Sequence, residues 1–263
     1  MSLTLDIAAT GMAAQELNVN TISNNIANMT TTGYKRQRAE FQDLLYQTII
    51  PPGSTSSDTN TTVPSGIQEG LGVKTGSLYR IDQQGALQQT SNPYDLAING
   101  QGYFQVQMPD GSTAYTRDGS FQMNQTGQLV TSAGYPVLPN ITIPNNAVSV
   151  TINASGQVLA TIAGQQSPSN VGQIQTALFA NNAGLLALGD NLFQVTDASG
   201  AAITGTPDAT GYGKLQQGFL ESSNVDVVSE ITSLIEAQRA YEMNSKVIQA
   251  GDQMLSTLTQ LSV

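Results

Sequence analysis

Residues 226–258 read DVVSEITSLIEAQRAYEMNSKVIQAGDQMLSTL, and their spacing decides how the rest of the chain is read. Val227, Leu234, Tyr241, Ile248 and Leu255 recur every seven residues, with Ile231, Ala237 and Leu258 beside them. Apolar residues at that spacing mark a helix that buries one narrow seam against another helix. A helix of about 35 residues runs roughly 50 Å, about three times the average length. Asn224 or Asp226 is placed to cap its start, and Glu230 lies in its first turn, facing the positive end of the helix dipole.

The opposite end repeats the device. Leu5, Met12, Val19 and Ile26 are seven apart, Ala8, Ile22 and Met29 follow three residues later, and Gln15 interrupts the companion row. Asp6 and Glu16 are the only charges up to residue 34, and Gly33 is a stop signal. Asn18, Asn20, Asn24, Asn25 and Asn28 crowd this stretch although Asn forms helices poorly. A polar side chain against apolar neighbours costs about 1–3 kcal/mol without a hydrogen-bond partner. Neighbouring copies of the same helix are the expected partners, and both ends are expected to fold on assembly.

Heptads at both ends of one chain predict termini that lie together as a polymerisation module, residues 1–34 and 226–263. Its expected interface is Leu5, Met12, Val19, Ile22, Asn24, Asn25, Ile26 and Asn28, with Val227, Ile231, Leu234, Tyr241, Ile248, Leu255 and Leu258 from the other end. Between them, residues 71–212 read as an inserted antiparallel β domain. Asp or Asn followed three residues later by Gly recurs at Asp82–Gly85, Asn124–Gly127, Asn153–Gly156 and Asp197–Gly200, where the side-chain oxygen closes a turn and Gly takes positive φ. Pro109-Asp110-Gly111 separates two further strand-like runs, and Phe121, Leu129, Val130, Val148, Val150 and Ile152 continue the alternation of a half-buried sheet. The expected class is α+β: long terminal helices in a coiled-coil-like module around a β domain, with residues 35–70 and 213–225 as connections.

The stretch IPPGSTSSDTNTTVP at 50–64 carries prolines at both ends and almost no large side chain between them. Composition alone favours a disordered loop. The alternative is an arm over about 47–66, with Pro51, Pro52, Gly53 and Pro64 shaping it, that orders against a neighbouring subunit.

Composition narrows the chemistry. The 263 residues include 9 basic and 19 acidic side chains, a net charge of −10, with no Cys, His or Trp. Thiolate and imidazole catalysis, disulfides and the usual zinc sites are therefore excluded. Scattered bases on an acidic chain argue against nucleic acid, and no apolar run is long enough to span a bilayer. The start, MSLTLDIAATGMAAQ, does not read as a cleaved signal peptide. Asp95, Asp110 and Asp118 could pair as acid and base, but their places beside turns favour turn capping. GLGVKTG at 70–76 lacks the order of a phosphate loop. No cofactor or metal site is expected. A glycan-binding β module is the chief alternative, and it leaves the paired terminal heptads unexplained.

Several motifs carry a resemblance. IAATGMAAQ at 7–15, SNNIAN at 23–28 and TGYK at 32–35 resemble the N-terminal signature of bacterial flagellar rod and hook proteins. SNPYDLAINGQGYF at 91–104 is similar to the motif that opens their β domain, and QGFLESSNV at 217–225 with AQRAYEMNSK at 237–246 to their C-terminal signature. Within that family RQRAEFQDLLYQ at 36–47, the Pro-flanked insert, PDGSTAYTRDGSF at 109–121 and LPNITIP at 138–144 resemble the distal rod members. Thr30 stands where relatives often carry Asn or Ser. The resemblance implies a structural subunit, not an enzyme, that polymerises into a rigid hollow helical shaft crossing the periplasm in the basal body. It implies proximal rod proteins, the hook or its junction, and surrounding rings as partners, a homo-oligomeric filament, and export as an unfolded chain through the flagellar channel. It also implies that the C-terminal helix lines that channel, with Gln249, Asp252, Gln253 and Gln260 facing it.

Overall fold

A computed structural model describes residues 3–53, 65–165 and 167–261, except for the side chains of Leu258, Thr259 and Leu261. Pro64 of the expected arm and the side chain of Leu258 therefore lie outside the described residues. The chain is α+β, with a helix at each end and antiparallel sheets between. Helix α1 spans Leu3–Ala27 and α2 spans Val227–Leu261.

Three expectations about the helix ends are corrected. Asn28 stops α1 before Met29 is reached: its carbonyl accepts the Thr31 amide at 3.2 Å and its side chain the Thr31 hydroxyl at 3.1 Å. Met29 is accordingly 43% exposed and outside the heptad. Gly33 does not end the helix but turns the chain after it, at φ +70, where a Cβ would meet the Arg117 backbone 2.8 Å away. Asp226 immediately precedes α2, whereas Asn224 is engaged elsewhere, accepting the Arg36 amide at 2.7 Å and donating to the carbonyls of Ile81 and Gln83.

The chain divides into two compact units. The first holds both helices and Gln37–Tyr79. In it β1 (Gln37–Asp43) is bonded to β4 (Val73–Arg80), and β2 (Tyr46–Ile50) pairs antiparallel with β3 (Ile67–Gly70). Tyr46 faces Gly70 and Ile50 faces Ile67 in the ladder. Composition favoured a loop for this stretch, but both its approaches are strands. The aliphatic and aromatic content of YQTII explains why.

The second unit is Ala27–Arg36 with Arg80–Asp226. Its largest sheet has six antiparallel strands in the order Leu186–Gly189, Leu192–Gln194, Thr113–Thr116, Tyr103–Gln107, Thr176–Leu178, Ile203–Gly205. Alternation along the central strand sends Phe104 and Val106 to one core with Phe121, Leu129 and Ile174, and Tyr103 to another with Tyr115, Ala177 and Leu185. Phe104 and Phe121 meet edge to face at 5.0 Å.

Two of the repeated turns form as their sequences imply: Asn124 and Asn153 accept the amides of Gln128 and Gln157, with Gly127 and Gly156 both at φ +82. At residues 197–200 Gly200 does turn, at φ +76, but Thr196 and Ser199 supply the closing bonds. The turn expected at 82–85 is absent: Gly85 is not at positive φ and gives its amide to Glu221 at 2.9 Å. Val148 falls at a register shift between Ala147 and Ser149 and is 72% exposed, so the expected alternation breaks there.

Candidate assembly site

The two helices touch at several levels. Leu5 Cδ2 lies 2.9 Å from where a Gly251 side chain would begin, and Asn244 Nδ2 lies 2.8 Å from the same point on Gly11. Lower down, Asn25 donates to Glu230 Oε2 at 3.1 Å. The residue numbers of each pair sum to 255 or 256, so the contacts run in opposite chain directions at constant register. On α2 the inward positions are Glu230, Ala237, Asn244 and Gly251, seven apart and small or polar. Leu234 and Ile248 beside them are half-buried, as are Val227, Leu5, Met12, Val19 and Ile26, while Ile22 is buried. Gly11 and Gly251 permit backbone approach that larger residues would prevent.

Asn25 needs no neighbouring copy. At 1% exposure it accepts the Gln37 amide at 2.9 Å and donates to the Gln37 carbonyl at 2.8 Å, standing in for a strand partner, besides its bond to Glu230. These three bonds all lie inside the subunit. Asn24 stays exposed and Asn28 closes the turn after α1.

Beside the inward row, α2 carries two exposed apolar flanks. Val228, Ile231 and Ile235 are 75%, 45% and 51% exposed, and Met243, Val247 and Met254 are 62%, 48% and 59% exposed. Each trio occupies neighbouring turns of one helix face. Tyr241 and Leu255, expected within the seam, are both 43% exposed. The β2–β3 ribbon is exposed at every residue but Gly70, including Tyr46, Ile49, Ile50 and Ile67; exposed Leu45 precedes it, and it continues into exposed Pro51, Pro52 and Gly53. Large contiguous apolar surface on a water-facing element marks an interaction site.

In the second unit three charged groups meet out of solvent. Glu221, 1% exposed, accepts Lys35 Nζ at 2.6 Å and Arg117 Nε at 2.9 Å. Its backbone carbonyl takes the Gly33 amide at 2.8 Å. Lys35 also donates to Gln83, and Arg117 to the carbonyls of Gly102 and Gly100. Burial holds the Lys35 ammonium below its usual pKa, against the pull of Glu221, and the same effect raises Asp82 and Tyr103. Spacing does not reveal this cluster, because its members are 82 and 104 residues apart along the chain. A usable signal existed: in a chain only 11% charged, each lies inside one of the quoted motifs, TGYK, PDGSTAYTRDGSF and QGFLESSNV.

The three carboxylates weighed as acid or base cap turns. Asp110 and Asp118 each accept the amide of the Ser two residues on, and Asp95 takes the Asn92 amide group at 2.7 Å. Among the described residues no group of acidic side chains could hold a metal ion.

Comparison with known proteins fits this arrangement of helical ends and β middle. Residues 5–35 match the family model described as flagella basal body rod protein, residues 97–160 the flagellar hook protein FlgE/F/G D1 domain, and residues 216–261 the flagellar basal body rod FlgEFG protein C-terminal. The chain is 60% identical over 257 residues to the flagellar basal-body rod protein FlgG of Caulobacter vibrioides, covering 98% of both chains. The chain belongs to the flagellar basal-body rod protein family. The FlgG proteins of Agrobacterium fabrum and of Buchnera aphidicola from Schizaphis graminum share 54% and 52% identity, each over 97% of this chain and 98% of theirs. As a member of that family the chain is a structural subunit of the distal rod in the flagellar basal body, assembling with other rod and hook components, and not an enzyme. The three matched stretches cover most of α1, the two central strands of the six-stranded sheet (Tyr103–Gln107 and Thr113–Thr116) and α2, so the family's signatures fall on elements just described.

Proposed function

We propose that α1 and α2 pair as an antiparallel coiled-coil-like hairpin, and that copies of this hairpin pack side by side into the wall of a hollow helical shaft. The observation that carries the reading is the pair of exposed apolar flanks of α2, which one subunit leaves in water. A fully buried aliphatic side chain contributes about 1.5–3 kcal/mol, so Val228, Ile231, Ile235, Met243, Val247 and Met254 together favour association strongly once neighbours cover them. Leu5, Met12, Val19, Ile22 and Ile26 with Val227, Leu234 and Ile248 then hold the hairpin itself, while Ile231, Tyr241 and Leu255 serve contacts between copies. The module of residues 1–34 and 226–263 forms the shaft.

The segment of about residues 47–66, flanked by β2 and β3, is the bracing arm. Its exposed aliphatic residues and its Pro51-Pro52 stiffening suit a strut laid on a neighbouring subunit, resisting sliding and keeping the shaft straight. The shaft then carries torque from the proximal rod to the hook, turning within the surrounding rings, after export of the chain through the flagellar channel. The exposed polar side chains Gln249, Asp252, Gln253 and Gln260 of α2 suit a channel lining. Sedimentation of the purified full-length chain tests the assembly surface: wild type forms pelletable polymer, and Val247→Asp or Ile235→Asp remains soluble with unchanged helicity. Equal pelleting of wild type and both variants would remove the proposed interface.

A further inference from the structure

A groove of about 400 Å³ runs along the helices and is lined by Glu16 and Val19 of α1 and by Gln238, Tyr241 and Glu242 of α2. Its apolar surface comes from Val19 and Tyr241, and carboxylates stand on both helices. No base of its own balances them. α1 contains no basic residue, and the only ones on α2 are Arg239 and Lys246. Neither makes an ion pair among the described residues.

Those two bases are seven residues apart, with Met243 four residues after Arg239 and Val247 one after Lys246. At 3.6 residues per turn they share a single face, alternating basic and apolar groups. The groove carries two carboxylates beside its apolar surface; this face carries two bases beside Met243 and Val247. We propose that the Arg239–Met243–Lys246–Val247 face of a second copy seats in this groove, with Met243 against Tyr241 and Val19 and its bases beside Glu16 and Glu242. The inference rests on the assembly reading above and names the seat and the side chains that fill it.

Three arguments favour a second copy as occupant. The charge patterns are complementary, and both halves are carried by the same chain. The seat and the inserted face differ, so the contact is heterologous and propagates as a filament instead of closing a dimer. The contact is also only about two turns of helix long, far short of the roughly 800 Å² per partner that a stable pair requires, so it holds only where many copies add their contacts. Copies in one filament share polarity, and the face sits roughly three to four residues above the groove along α2, an axial step of about 5 Å per neighbour.

Charge reversal tests the seat, because Glu16 and Glu242 are exposed. Glu16→Lys and Arg239→Glu each raise the critical concentration for polymer at least tenfold, and the double variant returns it to within threefold of wild type. Helicity of each soluble variant confirms folding. The chain has no native cysteine, so mixed Val19→Cys and Met243→Cys chains give cross-linked pairs in polymer alone. Wild type that assembles while the single reversals also assemble normally, or a double variant that is not rescued, overturns the seat and leaves the assembly reading intact. Wild type that never assembles overturns the assembly reading and the seat with it.

Discussion

Glu221 has two cations to answer for. Lys35 and Arg117 reach it from distant parts of the chain, and each also donates to backbone carbonyls, so the one carboxylate and the carbonyls together take up the hydrogen bonds of both cations. Removing one member of a buried ion cluster leaves the others uncompensated. Glu221→Ala is therefore expected to lower stability by about 3–5 kcal/mol in urea denaturation, and pairing it with Lys35→Met should cost less than the sum of the two single changes. Asn25 is a neutral counterpart. Asn25→Asp would bring a carboxylate within reach of Glu230, now 3.1 Å from the Asn25 amide. The two like charges repel and the donor to the Gln37 carbonyl is lost, so the variant is less stable than wild type at pH 7. Thermal unfolding at pH 7 reads the sign. The sequence motifs held Lys35, Arg117 and Glu221, yet nothing local joins them; long-range strand pairing, Leu96–Asn99 with Lys214–Gln217 and Leu87–Gln89 with Phe219–Glu221, brings them together. Asn25 was conspicuous as one of five Asn residues, but its use by a strand twelve residues later is a tertiary fact.

At the scale of elements the helices were legible and their faces only partly so. A seven-residue period fixes that a helix has a seam; it does not say which of two adjacent rows turns inward. On α2 the inner row is Glu230, Ala237, Asn244 and Gly251, whose small and polar side chains escape an apolar count. The large apolar residues on its flanks were visible in the sequence but looked like surplus. A prediction separates the two rows. Ile248→Asp places a charge at the half-buried seam and is expected to cost about 1–3 kcal/mol of folding stability as well as polymer, whereas Val247→Asp costs less than about 0.5 kcal/mol in the soluble chain while abolishing polymer. Urea denaturation beside sedimentation distinguishes them. The β2–β3 ribbon was hidden for a different reason: the low-complexity stretch between the strands dominated the composition, while the strands themselves are short and exposed on every residue but one.

For the whole molecule, few charges and many Ser, Thr, Asn and Gln side chains suit a part surrounded by its own copies, where unpaired charge would be costly to bury. The same logic gives the arm its test. If the ribbon braces neighbours, limited proteolysis cuts residues 50–64 readily in soluble chain and at least tenfold more slowly in polymer; equal rates in both forms would contradict bracing. Assembly itself decides more. Electron microscopy of the purified full-length chain, beside chains lacking residues 1–26 or 227–263, puts the question directly. The account predicts straight hollow filaments from the full chain and none from either truncation. Filaments of unchanged form from either truncation would contradict it.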